Sequence, residues 1–116
     1  MITAETDVFE LCDLRELQSE GVMAFGFRHP IFGAHDIAVF WDGTDVHAIE
    51  NSCPHQFGDL SAGMVKPGQV ICPLHGAIFD LTTGVCLDRY TYDIAPYESD
   101  VRNGRVLVHA PGEERL

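Results

Sequence analysis

Two cysteines and two histidines stand in two short motifs, Cys53-Pro54-His55 and Cys72-Pro73-Leu74-His75, with residues 56 to 71 between them. Four such side chains can close a tetrahedral zinc site. Zinc motifs commonly bring two cysteines together and then two histidines, whereas each motif here supplies one of each. That division suits a two-iron, two-sulfide core in which one iron takes two thiolates and the other two imidazoles. Each motif then gives one ligand to each iron, and two matching loops clamp the cluster from both sides. On this reading Cys53 and Cys72 hold the inner iron, and His55 and His75 the outer, more exposed one.

The neighbouring residues suit the same object. Sulfide ions accept hydrogen bonds from backbone N–H groups where the chain comes close, and Gly58 and Gly76 stand where a side chain would obstruct that approach. Pro54 and Pro73 stiffen the two loops. Two ferric ions, two sulfides and two thiolates carry no net charge, and one added electron leaves the core singly negative. All coordination positions are taken, which predicts an electron port with no catalytic residue. Neutral imidazoles in place of two thiolates make such a core easier to reduce than an all-cysteine one.

The elements that must hold these loops are short. Val8 to Cys12, Val22 to Arg28, Ile37 to Trp41, Val46 to Ile49, Gln69 to Cys72, Ala77 to Leu81, Val85 to Leu87 and Arg105 to His109 read as strands, and Val101 lies in another. Asp42-Gly43-Thr44 and Asn103-Gly104 are hairpin signals. One short helix is expected over Leu14 to Ser19, capped by Asp13 and ended by Gly21. Residues Pro30 to Ala34 read as a loop. The pattern predicts an all-β chain, a sandwich or small barrel, with the candidate ligands on loops at strand ends.

The chain has 116 residues, which suits one domain over 1–116, and 46% of them are hydrophobic, enough for a core. Lys and Arg total 7 against 18 Asp and Glu, a formal charge of −11. That balance argues against nucleic acid, whose binding needs cations, and equally against an anionic membrane surface. It suits a merely soluble surface, or a basic protein partner reached by electrostatic steering. No run approaches a membrane span. The N-terminal residues lack a basic region and an apolar core, which predicts no signal peptide and a cytoplasmic location.

The stretch "CPHQFGDLSAGMV…ICPLHGAIFDLTTG" resembles the Rieske signature C-x-H…C-x-x-H, including L-S-x-G between the loops and the F-D-x-x-T-G continuation. With the "DGTDVHAIENSCPH" lead-in and the "VRNGRVLVH" ending, the resemblance covers roughly residues 9 to 110. It implies a Rieske-like antiparallel β scaffold with a smaller cluster-binding subdomain near residues 50 to 86, one [2Fe–2S] cluster, and Cys53, His55, Cys72 and His75 as its ligands. It further implies a monomeric one-electron carrier resembling the ferredoxin components of bacterial aromatic-ring-hydroxylating dioxygenase systems. Electrons would run from NAD(P)H through a flavin reductase to this chain and on to a terminal Rieske non-haem iron oxygenase. The alternative is a small Rieske-like subunit of assimilatory nitrite reductase, and a third reading is a zinc-stabilised interaction module.

High-potential relatives carry an extra cysteine in each loop. Here Leu74 stands in one place and Gln56, Phe57 and Gly58 fill the other. Their sulfur-bonding serine is Ala77, and Phe79 stands near a hydroxyl-bearing tyrosine. The resemblance therefore implies a potential near the bottom of the Rieske range. The proline-rich third loop of many relatives is replaced by "CLDRYTYDIAP", and "HPIFGAH" is long for the family.

Outside the motifs, Cys12 and Cys86 read as buried structural thiols. His29, His35, His47 and His109 read as surface or strand residues. Phe25, Phe27, Phe40 and Trp41 read as core or sheet-face residues, and Asp42 and Asp45 as turn residues.

Overall fold

Strands make up most of the chain in a computed structural model that describes residues 6–29, 33–52, 59–74, 76–89, 91–111 and 114–115. In order they are β1 (Thr6–Asp13), the helix α1 (Leu14–Glu20), β2 (Val22–His29), β3 (Gly33–Trp41), β4 (Val46–Glu50), a 3-10 turn (Leu60–Ala62), β5 (Met64–Lys66), β6 (Gln69–Ile71), β7 (Ile78–Asp80), β8 (Pro96–Arg102), β9 (Arg105–Pro111) and β10 (Glu114–Arg115). Seven strands form one sheet in the order β1-β9-β8-β4-β3-β2-β10, and β5-β6-β7 form a second. Every paired neighbour is antiparallel. The expected all-β architecture, a larger scaffold with a smaller sheet, is what the chain adopts.

The large sheet is curled. Strands β1 and β2 lie five places apart in its order, yet Phe9 and Phe27 meet edge to face with ring centroids 5.2 Å apart. Only a sheet rolled into a half-barrel brings them together. Its interior holds Leu11, Leu17, Phe27, Ile37, Val39, Val106 and Val108. A second core, between the two sheets, holds Ala38, Phe40, Ile49, Leu60, Val70, Phe79 and Leu81.

The run Ile37-Ala38-Val39-Phe40 explains how one strand serves both. Successive side chains of a strand point to opposite faces. Ile37 and Val39 enter the half-barrel, while Ala38 and Phe40 face the small sheet. All four are fully buried. Strand β4 repeats the division with Ala48 and Ile49. The β3–β4 hairpin is therefore a wall shared by two cores, and its continuous apolar run reflects burial on both faces.

The structure departs from the expected elements in several places. Strand β8 covers Pro96–Arg102, of which Val101 alone is expected, because PYESDVR is too polar to show a period. Strand β5 is unexpected, being three residues long. Val85 to Leu87 forms only a bridge, Phe79 to Cys86. Asp13 sits at the helix N-cap but makes no side-chain cap bond. Its carboxylate binds Arg105 Nη1 at 2.6 Å, while Arg105 Nε meets Glu10, so the one guanidinium ties β9 to β1. Strand β3 begins at Gly33, within the expected loop. The Asn103-Gly104 turn is as expected, with positive φ at both residues (52° and 75°).

Candidate metal centre

Of the four predicted ligands, Cys72 is described. Cys53, His55 and His75 lie outside the described residues, with Pro54, Gln56, Phe57 and Gly58. Cys72 follows β6 directly and is 1% exposed, within the core between the two sheets. Its N–H donates to the Ala77 carbonyl at 2.8 Å, and its own carbonyl accepts the Gly76 N–H at 3.0 Å. The second candidate loop is thus a tight reversal closed at its base by the cysteine itself. Gly76 has φ +74°, the left-handed region that favours glycine. Among the described residues an added Cβ there meets nothing within 4 Å. The backbone conformation by itself calls for glycine here.

The stem of the first loop is closed by a side chain. Asn51 is 5% exposed, the one buried polar residue among those described. Its N–H donates to the Asp36 carbonyl at 3.0 Å, and its Oδ1 accepts the Ser61 N–H at 2.8 Å. Asn51 therefore spans the chain on either side of the Cys53–Gly58 segment. Burial of an amide is tolerable when its polar atoms are paired.

The L-S-x-G motif has a physical role on the same stem. Leu60 anchors the 3-10 turn in the core between the sheets. Ser61 supplies the N–H that Asn51 holds. A Cβ on Gly63 would run into the Ile71 carbonyl, so only glycine lets the turn lie against β6. Both loop stems thus meet on β6, one through Gly63 and Ile71 and the other through Cys72.

The inner face of the small sheet supports this arrangement with a row across its strands. Val65 pairs with Val70, Val70 with Phe79, and Phe79 with Cys86. All four pack in the core between the sheets. Cys86 is a buried thiol, as expected, whose Sγ–H donates to Asp88 Oδ1 at 3.1 Å and whose N–H donates to Asp93 Oδ1 at 2.8 Å. Cys12 is buried in the half-barrel. No disulfide joins the described cysteines Cys12, Cys72 and Cys86. In the segment after the Thr83-Gly84 turn, Ile94 N–H donates to the Gly84 carbonyl at 2.8 Å, and Ile94 enters the core.

Asp42 is the turn residue the sequence suggests, and it also makes a distant bond that the sequence conceals. Oδ1 accepts the N–H groups of Thr44 at 2.9 Å and Asp45 at 2.7 Å. Oδ2 contacts His47 Nε2 at 3.0 Å and accepts the Gly68 N–H at 2.9 Å. The Gly68 carbonyl in turn accepts the Leu81 N–H. One carboxylate thereby joins the β3–β4 turn to the β5–β6 turn. Burial alone would raise its pKa, but the donors from Asp45, Thr44, His47 and Gly68 outweigh that and hold it well below the usual carboxylate range. Asp42, Asp45 and His47 gather their polar atoms within 4.8 Å, as do Glu98, Asp100 and His109. Each cluster is already knit by a histidine–aspartate contact, 3.0 Å at His47 and 2.8 Å at His109.

A buried cysteine at the base of one loop, a second loop stem pinned beside it, and glycine where the backbone must turn left-handed together suit a group held between two loops. Cysteine and histidine in equal number are the donor set of a Rieske-type cluster. The comparisons agree. A family model described as Rieske-like [2Fe–2S] domain matches residues 7–109. The ferredoxin CarAc of Metapseudomonas resinovorans is 32% identical over 77 residues, which is 66% of this chain and 72% of that protein. Other curated relatives are longer, and the chain spans 14% of one and 11% of another. A chain in the complex of reduced oxygenase and oxidized ferredoxin in carbazole 1,9a-dioxygenase superposes with a TM-score of 0.75 at 27% identity, covering 94% of this chain and 96% of that one. A putative NADH-dependent nitrite reductase small subunit from Mycobacterium tuberculosis gives a TM-score of 0.71 at 24% identity over 91% of this chain and 96% of that one, a likeness of fold alone.

Proposed function

Since the chain belongs to the family of Rieske-like [2Fe–2S] domains and takes a Rieske-type cluster as its cofactor, we propose that it is a one-electron carrier of a multicomponent dioxygenase system. It would accept electrons from an NAD(P)H-dependent flavin reductase and pass them to a terminal Rieske oxygenase. The likeness to CarAc and to the oxygenase–ferredoxin complex supports this reading. Cys53 and Cys72 would hold the inner iron and His55 and His75 the outer one, within a cluster-binding subdomain near residues 50–86. The bound cluster supplies reversible one-electron storage at a fully coordinated centre.

The chain's own residues then have three tasks. Asn51 and Ser61 hold the stem of the first loop. Ala77 and Gly76 close the second around Cys72. Asp42 fixes the sheet that carries Cys72 against the scaffold. The observation that supports the proposal is the seat of Cys72, 1% exposed in the core between the sheets, while Leu74, two residues on, is 53% exposed. A centre held there is shielded on one side and reachable from the other.

Among the described residues of the second loop, the positions that could offer a hydroxyl to the added charge are apolar. Ala77 and Phe79 are fully buried and have no side-chain donor. These residues support a potential at the low end of the roughly −150 to +300 mV Rieske span. The carrier is proposed as a cytoplasmic monomer, and no helix among the described residues is long and apolar enough to cross a membrane.

The test is direct. Purified protein should be red-brown, with iron and acid-labile sulfide near two each per chain, and should relay electrons from a flavin reductase to a Rieske oxygenase. A colourless, zinc-loaded protein, or a clearly positive midpoint potential, would refute it.

A further inference from the structure

The outer face of the small sheet carries a second row, opposite to the one that enters the core. Met64 pairs with Ile71, and Ile71 with Ile78. Leu87 N–H donates to the Ile78 carbonyl at 2.7 Å, which sets Leu87 beside Ile78. Directly paired residues of an antiparallel sheet share a face. Met64, Ile71, Ile78 and Leu87 therefore form one continuous apolar line across the sheet. Strand alternation requires this face to be the solvent side, because Val65, Val70, Phe79 and Cys86 fill the other. Met64 is 63% exposed and Leu87 44%, while Ile71 and Ile78 are half-buried between them.

A solvent face of a small antiparallel sheet is ordinarily polar. Single exposed apolar residues need no explanation, but a contiguous line of them marks an interaction surface. This line also has a particular place. Ile71 is bonded directly to Cys72, and Leu74 stands exposed in the same loop. Whatever covers the line lies beside a cluster ligand.

The charge selects the occupant. A second copy would bring together two chains of net charge −11 each, which repel. A basic partner is attracted instead, and an apolar centre within a polar rim is the usual anatomy of a protein interface. We infer that the Met64–Ile71–Ile78–Leu87 line is the docking surface for a positively charged electron-transfer protein, whose redox group is thereby set beside the loop of Cys72. The inference rests on the carrier reading and adds to it the face by which the partner is met.

The probe is cytochrome c, a small basic haem protein, at low ionic strength. The cluster, reduced beforehand by dithionite and freed of excess reductant, gives up one electron and the ferric haem becomes ferrous. Two quantities are read: the dissociation constant of the complex between the oxidised proteins, by titration calorimetry, and the second-order rate of haem reduction. Met64→Ser combined with Leu87→Ser should raise the former about tenfold and lower the latter by a similar factor, with iron content and potential unchanged. Val8→Ser, an exposed valine on the large sheet, should change neither. If the double variant loses its cluster, Met64→Ser alone carries the test, since Met64 lies on the sheet's edge strand. Values within twofold of wild type, or an equal loss in Val8→Ser, would overturn the inference and leave the carrier reading standing. A wild-type protein that holds its cluster yet reduces no cytochrome c would overturn both.

Discussion

The Asp42 carboxylate accepts the Gly68 N–H at 2.9 Å, across 26 positions of sequence, and so fastens the turn of the β3–β4 wall to the turn of the small sheet. Asp42→Ala removes the acceptor from four donors at once. Each unpaired buried donor costs about 1–3 kcal/mol, less where water can replace the carboxylate. The expected loss of stability is about 2–3 kcal/mol, measured by denaturant unfolding of the holoprotein. Faster release of the cluster should accompany it.

The same carboxylate sets an acid dependence. Its folded pKa lies below its ordinary value of 3.8, so its contribution is complete above that value and is lost as pH falls through the folded pKa. The difference in stability between wild type and Asp42→Asn should therefore be constant near neutrality and shrink progressively below about pH 4. Fluorescence of Trp41, the only tryptophan, followed in denaturant series at successive pH values, gives the comparison. A difference that grows in acid would contradict the assignment.

Asn51→Ala deletes the side chain that closes the first loop stem. Ser61 N–H loses its partner in a part-buried site, at a cost of about 1 kcal/mol. The expected signature is a faster loss of the visible absorbance to a chelator, several-fold above wild type, with Asn51→Asp milder because an acceptor oxygen remains.

Ala77→Ser restores a hydroxyl beside the loop that carries Cys72. A hydrogen bond to the reduced cluster worth about 1 kcal/mol more than to the oxidised one corresponds to roughly +40 mV for one electron. Redox titration of the variant should give an upward shift of that order. An unchanged potential would mean that Ala77 does not account for the low value proposed.

Ionic strength should slow the carrier. A charge of −11 attracts basic partners over distances that salt shortens, the screening length being about 30 Å at 0.01 M and about 10 Å at 0.1 M. Second-order rates with a basic partner should fall several-fold over that range.

The candidate ligand motif can be read in the sequence because its information is local: two short spacings, each fixed by the reach of neighbouring side chains; of it, the structure describes the seat of Cys72. The Asn103-Gly104 and Asp42-Gly43-Thr44 turns were legible for the same reason. What it concealed depends on distant partners. Nothing beside Asp42 in the chain indicates Gly68, and nothing beside Asn51 indicates Ser61. The polar strand β8 was largely missed because its hydrogen-bonding neighbours, β4 and β9, define it more than its own alternation does. Asp13 kept its place at the helix start, but Arg105, distant in sequence, took its carboxylate.

The doubly buried wall also limits how the ligand segment can be used outside this chain. Residues 50–86 are continuous, and they look like a cassette that could be grafted onto another scaffold. Val70 and Phe79, however, pack in the same core as Ala38 and Phe40 of β3, which the segment does not contain. Excised, it would leave its inner face wet, with no acceptor for the Gly68 N–H. A transplant would have to carry the β3–β4 hairpin with it, making the smallest portable unit a discontinuous one of two pieces.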